Sequence, residues 1–163
     1  MRDWIPVSTS PKGRLALAAV KEFGARPFDE VTVAELATAA DVTTGALYHH
    51  FGSKLGLYAF VRDDVERRLL DRMEGAVAAS DLTAALLVGL DFAVREGFLR
   101  ILGDPPAGTD HDRLAEMLSA SADRATPVLG RVLAAAWRAA LAAVADGAEP
   151  AQARAAIAAL RLS

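Results

Sequence analysis

Along this chain apolar residues return every three or four positions, and no stretch of useful length alternates apolar and polar as a half-buried strand would. The pattern predicts an all-α protein, with Gly and Pro falling mainly between its periodic segments. Ser10-Pro11 reads as the start of a first helix, with Ser as cap and Pro at the first helical position, where its missing N–H is no loss. Leu15, Ala19 and Phe23 share one face of that helix, and Gly24 with Pro27 ends it. "TVAE" at Thr32–Glu35 fits a capping box for a short second helix running to about Ala40. After a tight turn at Asp41-Val42, Thr43 caps a third short helix that continues through His49 or His50.

A long fourth helix is expected from Ser53 to about Ala79. Leu57, Val61, Val65, Leu69, Met73 and Val77 drift along one face, and "RDDVERR" crowds both charge signs on the other, so it reads as a connecting helix. Asp81 caps a fifth helix that is nearly apolar all round and therefore central. A loop, "GDPPAGTDHD", separates it from a shorter helix, "RLAEMLSASA". Thr126-Pro127 starts a further strong helix, with Leu129, Val132, Leu133, Ala136, Trp137, Ala140, Leu141 and Val144 on one broad stripe. Gly147 stops it, and Pro150 opens an Ala-rich last helix to about Leu160.

Hydrogen-bonding side chains gather in "TTGALYHHFGSK", Thr43 to Lys54, which holds two of the three histidines. The two short helices and their turn match a helix-turn-helix, whose second helix enters the major groove of DNA. Leu36, Ala37, Val42 and Leu47 are spaced to form its small core, and Ala37, Ala40 and Ala46 permit close helix approach. That leaves Thr43, Thr44, Gly45, Tyr48, His49 and His50 with no core to fill. Free N–H groups at a helix start suit phosphate oxygens, Gly45 admits close backbone approach, and Thr, Tyr and His side chains suit phosphates or base edges. Lys54 adds a positive charge just past the turn. A polar short helix is also commonly no more than a solvated face, and spacing alone leaves both readings open.

Charge narrows the location of any such contact. The chain carries a formal −3, and residues 1–60 hold six Lys/Arg against six Asp/Glu, so the bulk basic signature of a DNA-binding domain is missing. No acidic residue occurs between Val42 and Arg62, however, so phosphate contacts would be concentrated there. Cysteine is absent, which excludes disulfides and thiolate metal sites. The longest apolar stretches are broken by Asp81, Asp91 and Arg138, and the N-terminus has no apolar run of signal-peptide type, so a soluble cytoplasmic protein with no membrane association is expected. His49 and His50 have no nucleophile or carboxylate close in sequence, and there is no metal-ligand spacing or phosphate loop. No catalytic residue, metal or cofactor is expected. His111, in an Asp-rich loop, is either a cation ligand or a solvated loop residue.

The first sixty or so residues resemble the N-terminal DNA-binding domain of the tetracycline-repressor (TetR) family of transcription regulators. The residues that carry the resemblance are Phe23, Thr32-Val33, Leu36-Ala37, Ala40, Val42-Thr43, Gly45, Leu47-Tyr48, His50-Phe51, Ser53-Lys54 and Leu57. It implies a three-helix DNA-binding head, residues 1–54 with the helix-turn-helix at about 32–51, joined by a long helix to a helical ligand-binding and dimerisation body, residues 55–163. It implies a homodimer through the last two helices, a palindromic double-stranded operator, and a small molecule whose binding releases the DNA. Carried over position by position, the family's DNA contacts fall on Thr32, Thr43, Thr44, Gly45, Tyr48, His49, His50 and Lys54. Tyr48, His50 and Lys54 match the commonest types and would touch phosphate, whereas Thr44 and His49 are placed to read bases. Pro27 stands where the family usually has glycine, Asp41 replaces a turn glycine, and Leu55 stands where an acid is usual. The chain is also shorter than is typical of the family.

Beyond Ala79 the resemblance is architectural. The Trp137 stripe wants a partner surface, either the fifth helix or a second copy across a two-fold axis. Phe92, Phe98, Leu102, Met117, Leu118 and Trp137 outline either plain core or a pocket for an apolar effector. The expected function is a sequence-specific transcriptional regulator, a repressor released by an apolar ligand. The alternative is a helical ligand-binding or interaction module with a degenerate head, which the neutral charge of residues 1–60 leaves open.

Overall fold

The computed structural model of the protein describes residues 9–106, 111–122 and 128–162. Regular structure among them is entirely helical: α1 (Pro11–Ala25), a 3-10 turn (Phe28–Glu30), α2 (Val33–Ala39), α3 (Thr44–Phe51), α4 (Lys54–Ala79), α5 (Leu82–Glu96), α6 (Leu99–Gly103), α7 (Arg113–Ser121), α8 (Leu129–Ala145) and α9 (Pro150–Ala158). The capping residues read from the sequence do their expected work. Ser10 Oγ accepts from Gly13 N at 3.0 Å, Thr43 Oγ1 from Ala46 N at 3.2 Å, and Asp81 Oδ1 from Ala84 N at 2.7 Å. The helix start expected at Thr126-Pro127 lies outside the described residues. Two short elements were not anticipated, the 3-10 turn and α6, because three and five residues are too few to show a period. The last helix ends at Ala158, slightly before the expected Leu160.

The chain divides into two compact units, Met1–Val65 and Glu66–Ser163, with the boundary inside α4. In the first unit α1, α2 and α3 pack on one another. Leu15, Ala19, Phe23, Leu36 and Leu47 are almost wholly buried, as are Leu57, Val61 and Val65 on the first turns of α4. Gly56 fits α4 against the end of α3: a Cβ there would lie 2.1 Å from the Phe51 carbonyl oxygen, so no larger residue is accommodated without moving backbone.

In the second unit α8 packs on α5, α6, α7 and α9. The Trp137 side chain is fully buried, and its indole Nε1 donates to the Leu86 carbonyl on α5 at 3.0 Å, which satisfies its one polar atom. α7 and α8 meet most closely at Gly130, where a Cβ would lie 2.1 Å from Ser119 Oγ and 2.2 Å from the Ala115 carbonyl oxygen. Arg138, a break in an apolar stretch by sequence, is buried, with its guanidinium forked onto Asp112 at 2.5 and 2.8 Å. Burial raises the Asp112 carboxyl, but the Arg138 guanidinium and the Ala115 N–H outweigh it and hold the group below the usual range. No helix among the described residues is long and apolar enough to cross a membrane.

Candidate nucleic-acid interface

The turn between α2 and α3 is built from two backbone bonds, Asp41 N to the Thr38 carbonyl at 3.1 Å and Val42 N to the Ala37 carbonyl at 3.0 Å. Asp41 takes the left-handed conformation that this closure requires, at φ 52°, so Asp fills the role of the usual glycine. Arg14 of α1 then seals the end of α2. Its Nε donates to the Ala40 carbonyl at 2.9 Å and its second terminal nitrogen to the Asp41 carbonyl at 3.4 Å.

α3 buries Leu47 completely against this frame and turns Thr44, Gly45, Tyr48 and His49 outward. These four stand at i, i+1, i+4 and i+5, which is one face of a helix. Tyr48 is 53 % exposed. His50 is half-buried beside it, with the His49 and His50 ring centroids 5.0 Å apart. Gly45 has room for a side chain, since a Cβ would meet only the Thr43 hydroxyl, at an ordinary 3.6 Å. Nothing in the fold of the unit demands glycine there.

Two of the residues that the sequence grouped with this face have their donors engaged by groups of the same unit. The Thr32 amide and hydroxyl both donate to Glu35 Oε2, at 2.8 and 2.7 Å, while the same hydroxyl accepts from the Glu35 amide. Held by Thr32 first and by Arg26 second, the Glu35 carboxyl is lowered to about 2. Lys54 Nζ donates to the carbonyls of Phe28 at 3.0 Å and Val31 at 2.9 Å, and lies 4.1 Å from the Phe28 ring centroid. Phe28 in turn packs on Phe23 and Tyr58, at centroid distances of 5.7 and 5.1 Å.

Two other cations of this unit are also engaged within it. Lys12 Nζ sits 5.2 Å from the Phe60 ring and 5.8 Å from the Phe51 ring, and Arg26 pairs with Glu22 and Glu35 at 3.0 and 3.2 Å. The sequence reading missed the Arg14 seal, the Phe23–Phe28–Tyr58 cluster and the direction of Lys54. Only an arginine on the polar side of α1 and an aromatic just ahead of the "VTV" run hinted at any of them. Leu55, where an acid was the usual residue, is exposed.

The six residues outlined as a pocket are placed in the second unit: Phe92 on α5, Phe98 ahead of α6, Leu102 on α6, Met117 and Leu118 on α7, and Trp137 on α8. All six are buried, and the Phe92 and Phe98 rings meet edge to face at 5.4 Å. A separate open groove of about 450 Å³ runs between α5 and α9, over Leu90, Val94 and Pro150, with an Asp91–Arg154 ion pair on its wall. His111 is exposed, with Nδ1 3.3 Å from Glu116 Oε1. Among the described residues no three His, Asp or Glu side chains gather as metal ligands would.

Residues 16–60 match the family model of bacterial regulatory proteins of the tetR family. No curated protein matches the chain. Among solved structures, a TetR-family transcriptional regulator from Pectobacterium atrosepticum is 22% identical, with 90% of this chain covering 88% of that one at a TM-score of 0.62. A tetR-family transcriptional regulator from Streptomyces coelicolor, also 22% identical, is matched over 93% of this chain and 72% of its own, at a TM-score of 0.49. The first of these shares the all-helical fold. The family match falls on the segment that holds α2, its left-handed turn and the outward face of α3, so it is in these residues that the chain is similar to bacterial regulatory proteins of the tetR family.

Proposed function

We propose that the protein is a sequence-specific transcriptional repressor that binds a palindromic operator as a homodimer and is released by an apolar small molecule. The observation that carries the DNA-binding half is the outward face of α3. Thr44, Gly45, Tyr48 and His49 are exposed, and a side chain at Gly45 would meet only the Thr43 hydroxyl. In this reading Tyr48 and His50 donate to phosphates, the start of α3 at Thr43 approaches the backbone, and Thr44 and His49 reach base edges. Thr32 and Lys54 complete the interface at the starts of α2 and α4.

Residues 1–54 form the DNA-binding domain in this reading, and residues 55–163 the ligand-binding and dimerisation body. Two helices, α8 and α9, supply the dimer contact. α8 leaves Val132 58 % exposed, together with Ala135, Ala136, Ala139 and Ala143, and α9 leaves Ala151, Ala155 and Ala158 exposed, so both present small apolar surfaces. One short recognition helix reads too few base pairs to be selective, so a second copy is also required by the function. The effector enters among Phe92, Phe98, Leu102, Met117, Leu118 and Trp137, whose side chains fix its apolar character.

Selection of bound duplexes from a random DNA pool, at low and moderate salt, tests the proposal. Enrichment of a palindrome is the expected result, with affinity falling steeply as salt rises. No enriched sequence at either salt would replace the reading with a helical module whose head has lost its DNA.

A further inference from the structure

We propose that the groove between α5 and α9 is a second small-molecule site, which takes a monocarboxylic acid with a short apolar body. The proposal goes beyond the function above, because the groove shares no residue with the buried cluster around Trp137. α9 seats Ala153 and Ile157, both buried, and packs on α5 and α8. Its Pro150, Ala151 and Arg154 stand at i, i+1 and i+4, while Leu90, Asp91, Val94 and Arg95 of α5 stand at i, i+1, i+4 and i+5, so each helix gives one face to the groove. Leu90 is buried and Val94 half-buried, which makes the floor apolar. Ala151, exposed on α9, contributes only a methyl where a longer side chain would fill the space. The volume left is about 450 Å³, within the range of small-molecule sites.

The wall of the groove sets the charge of its occupant. Arg154 reaches from α9 to Asp91 on α5, 63 residues away in sequence, through Nη1 alone. Among the described residues its Nε and Nη2 have no acceptor, and these two nitrogens form the edge of a guanidinium that pairs with both oxygens of a carboxylate. Arg95 adds a second cation, with Nε 3.4 Å from Glu96 Oε1 and both terminal nitrogens without an acceptor among the described residues. Two guanidinium groups against the one Asp91 carboxylate leave the lining with a positive charge in excess. An amine would meet that excess and find Asp91 already bonded, and a neutral molecule would cover the guanidinium edges without pairing them. An acid fills the open edge of Arg154 while its apolar part covers Leu90 and Val94. Arg154 is 49 % exposed, so that edge is reached without opening its pair with Asp91.

The test titrates wild type with octanoate and with octanamide, its uncharged twin, and follows backbone amide shifts by NMR. No DNA is present, so the outcome is independent of the operator reading. Octanoate is expected to shift the amides of residues 90–95 and 150–154 and to bind at least about tenfold more tightly than octanamide. Arg154→Met, which keeps much of the stem, should abolish the preference for the acid. Ala151→Leu, a change at an exposed helix position, should weaken both ligands several-fold by filling the groove, and it decides alone if Arg154→Met does not fold. Equal binding of the two ligands to wild type, no binding of octanoate, or shifts centred on Met117 and Trp137 overturn the proposal. A preference unchanged in Arg154→Met, or binding unchanged in Ala151→Leu, does the same. An octanoate affinity that falls as protein concentration rises also overturns it, and gives the groove to a second copy of the chain.

Discussion

Arg14 on α1 donates through Nε to the Ala40 carbonyl, at 2.9 Å, and so ties the first helix to the last residue before the left-handed Asp41. This bond satisfies a carbonyl at the end of α2 and fixes the turn from which α3 departs. Replacing Arg14 by Met keeps much of the stem and removes the donors. Urea unfolding followed through tyrosine fluorescence is expected to show a loss of about 1–2 kcal/mol. The salt slope of DNA binding should stay as in wild type, because the guanidinium faces the protein. A shallower slope would move Arg14 into the interface.

Gly45 separates folding from function. An exposed residue in the first turn of a helix gains stability on a change from Gly to Ala, and the added methyl would touch only the Thr43 hydroxyl at 3.6 Å. Gly45→Ala is therefore expected to raise stability by up to about 0.5–1 kcal/mol. Under the proposed function it should at the same time weaken operator binding at least several-fold, since the methyl would stand where the DNA backbone is to come close. A variant that is more stable and binds equally well would remove the start of α3 from the contact.

The Glu35 carboxyl makes the head sensitive to acid in a defined window. Its folded value of about 2 lies below its ordinary 4.5, so its contribution is complete above about 4.5 and is lost as pH falls towards 2. Glu35→Gln preserves the shape of the capping box without the charge. Urea midpoints of the two proteins should differ most, and by a constant amount, above pH 5, and should converge between about 4.5 and 2. Parallel curves across that range would mean that Glu35 is not ionised in the box.

The α7–α8 contact depends on the absence of a single atom. At Gly130 a Cβ would press on the Ala115 carbonyl oxygen at 2.2 Å and on the Ser119 amide nitrogen at 2.4 Å, and backbone cannot step aside as a side chain can. Gly130→Ala is expected to destabilise the second unit by about 3 kcal/mol or more. Gly75→Ala on α4, where nothing lies within 4 Å of the added methyl, should instead stabilise by up to about 1 kcal/mol. Thermal unfolding of the two variants gives opposite shifts if the contact is as close as described.

The helices were legible where a cap and a period coincided. Ser10-Pro11, Thr32 with Glu35, Thr43 and Asp81 each announce a helix by local chemistry, and the row from Leu57 to Met73 announces its buried face. The outward position of Thr44, Gly45, Tyr48 and His49 followed from the same periodicity, because Leu47 fixes which side faces in. Lys54, grouped with that face for its charge at a helix start, has its ammonium on the Phe28 and Val31 carbonyls. Charge at a helix start looks available in a sequence, but a lysine stem is long enough to reach carbonyls 23 and 26 residues away, and no local pattern encodes that reach. Asp112 as the cap of α7 and partner of Arg138 escaped for a related reason: the pairing is set by the approach of α7 to α8, which Gly130 permits.

Because Lys12, Arg14, Arg26 and Lys54 all turn their charge to aromatic rings, carbonyls or carboxylates of the same unit, these four would, under the proposed function, add little to the head's grip on DNA of arbitrary sequence. In a cell the competitor to an operator is the rest of the genome, and a regulator with strong general adhesion is mostly sequestered there. Under the proposed function a head of this kind would lose little time on wrong sites, would travel mainly through solution, and would occupy its target at a low copy number.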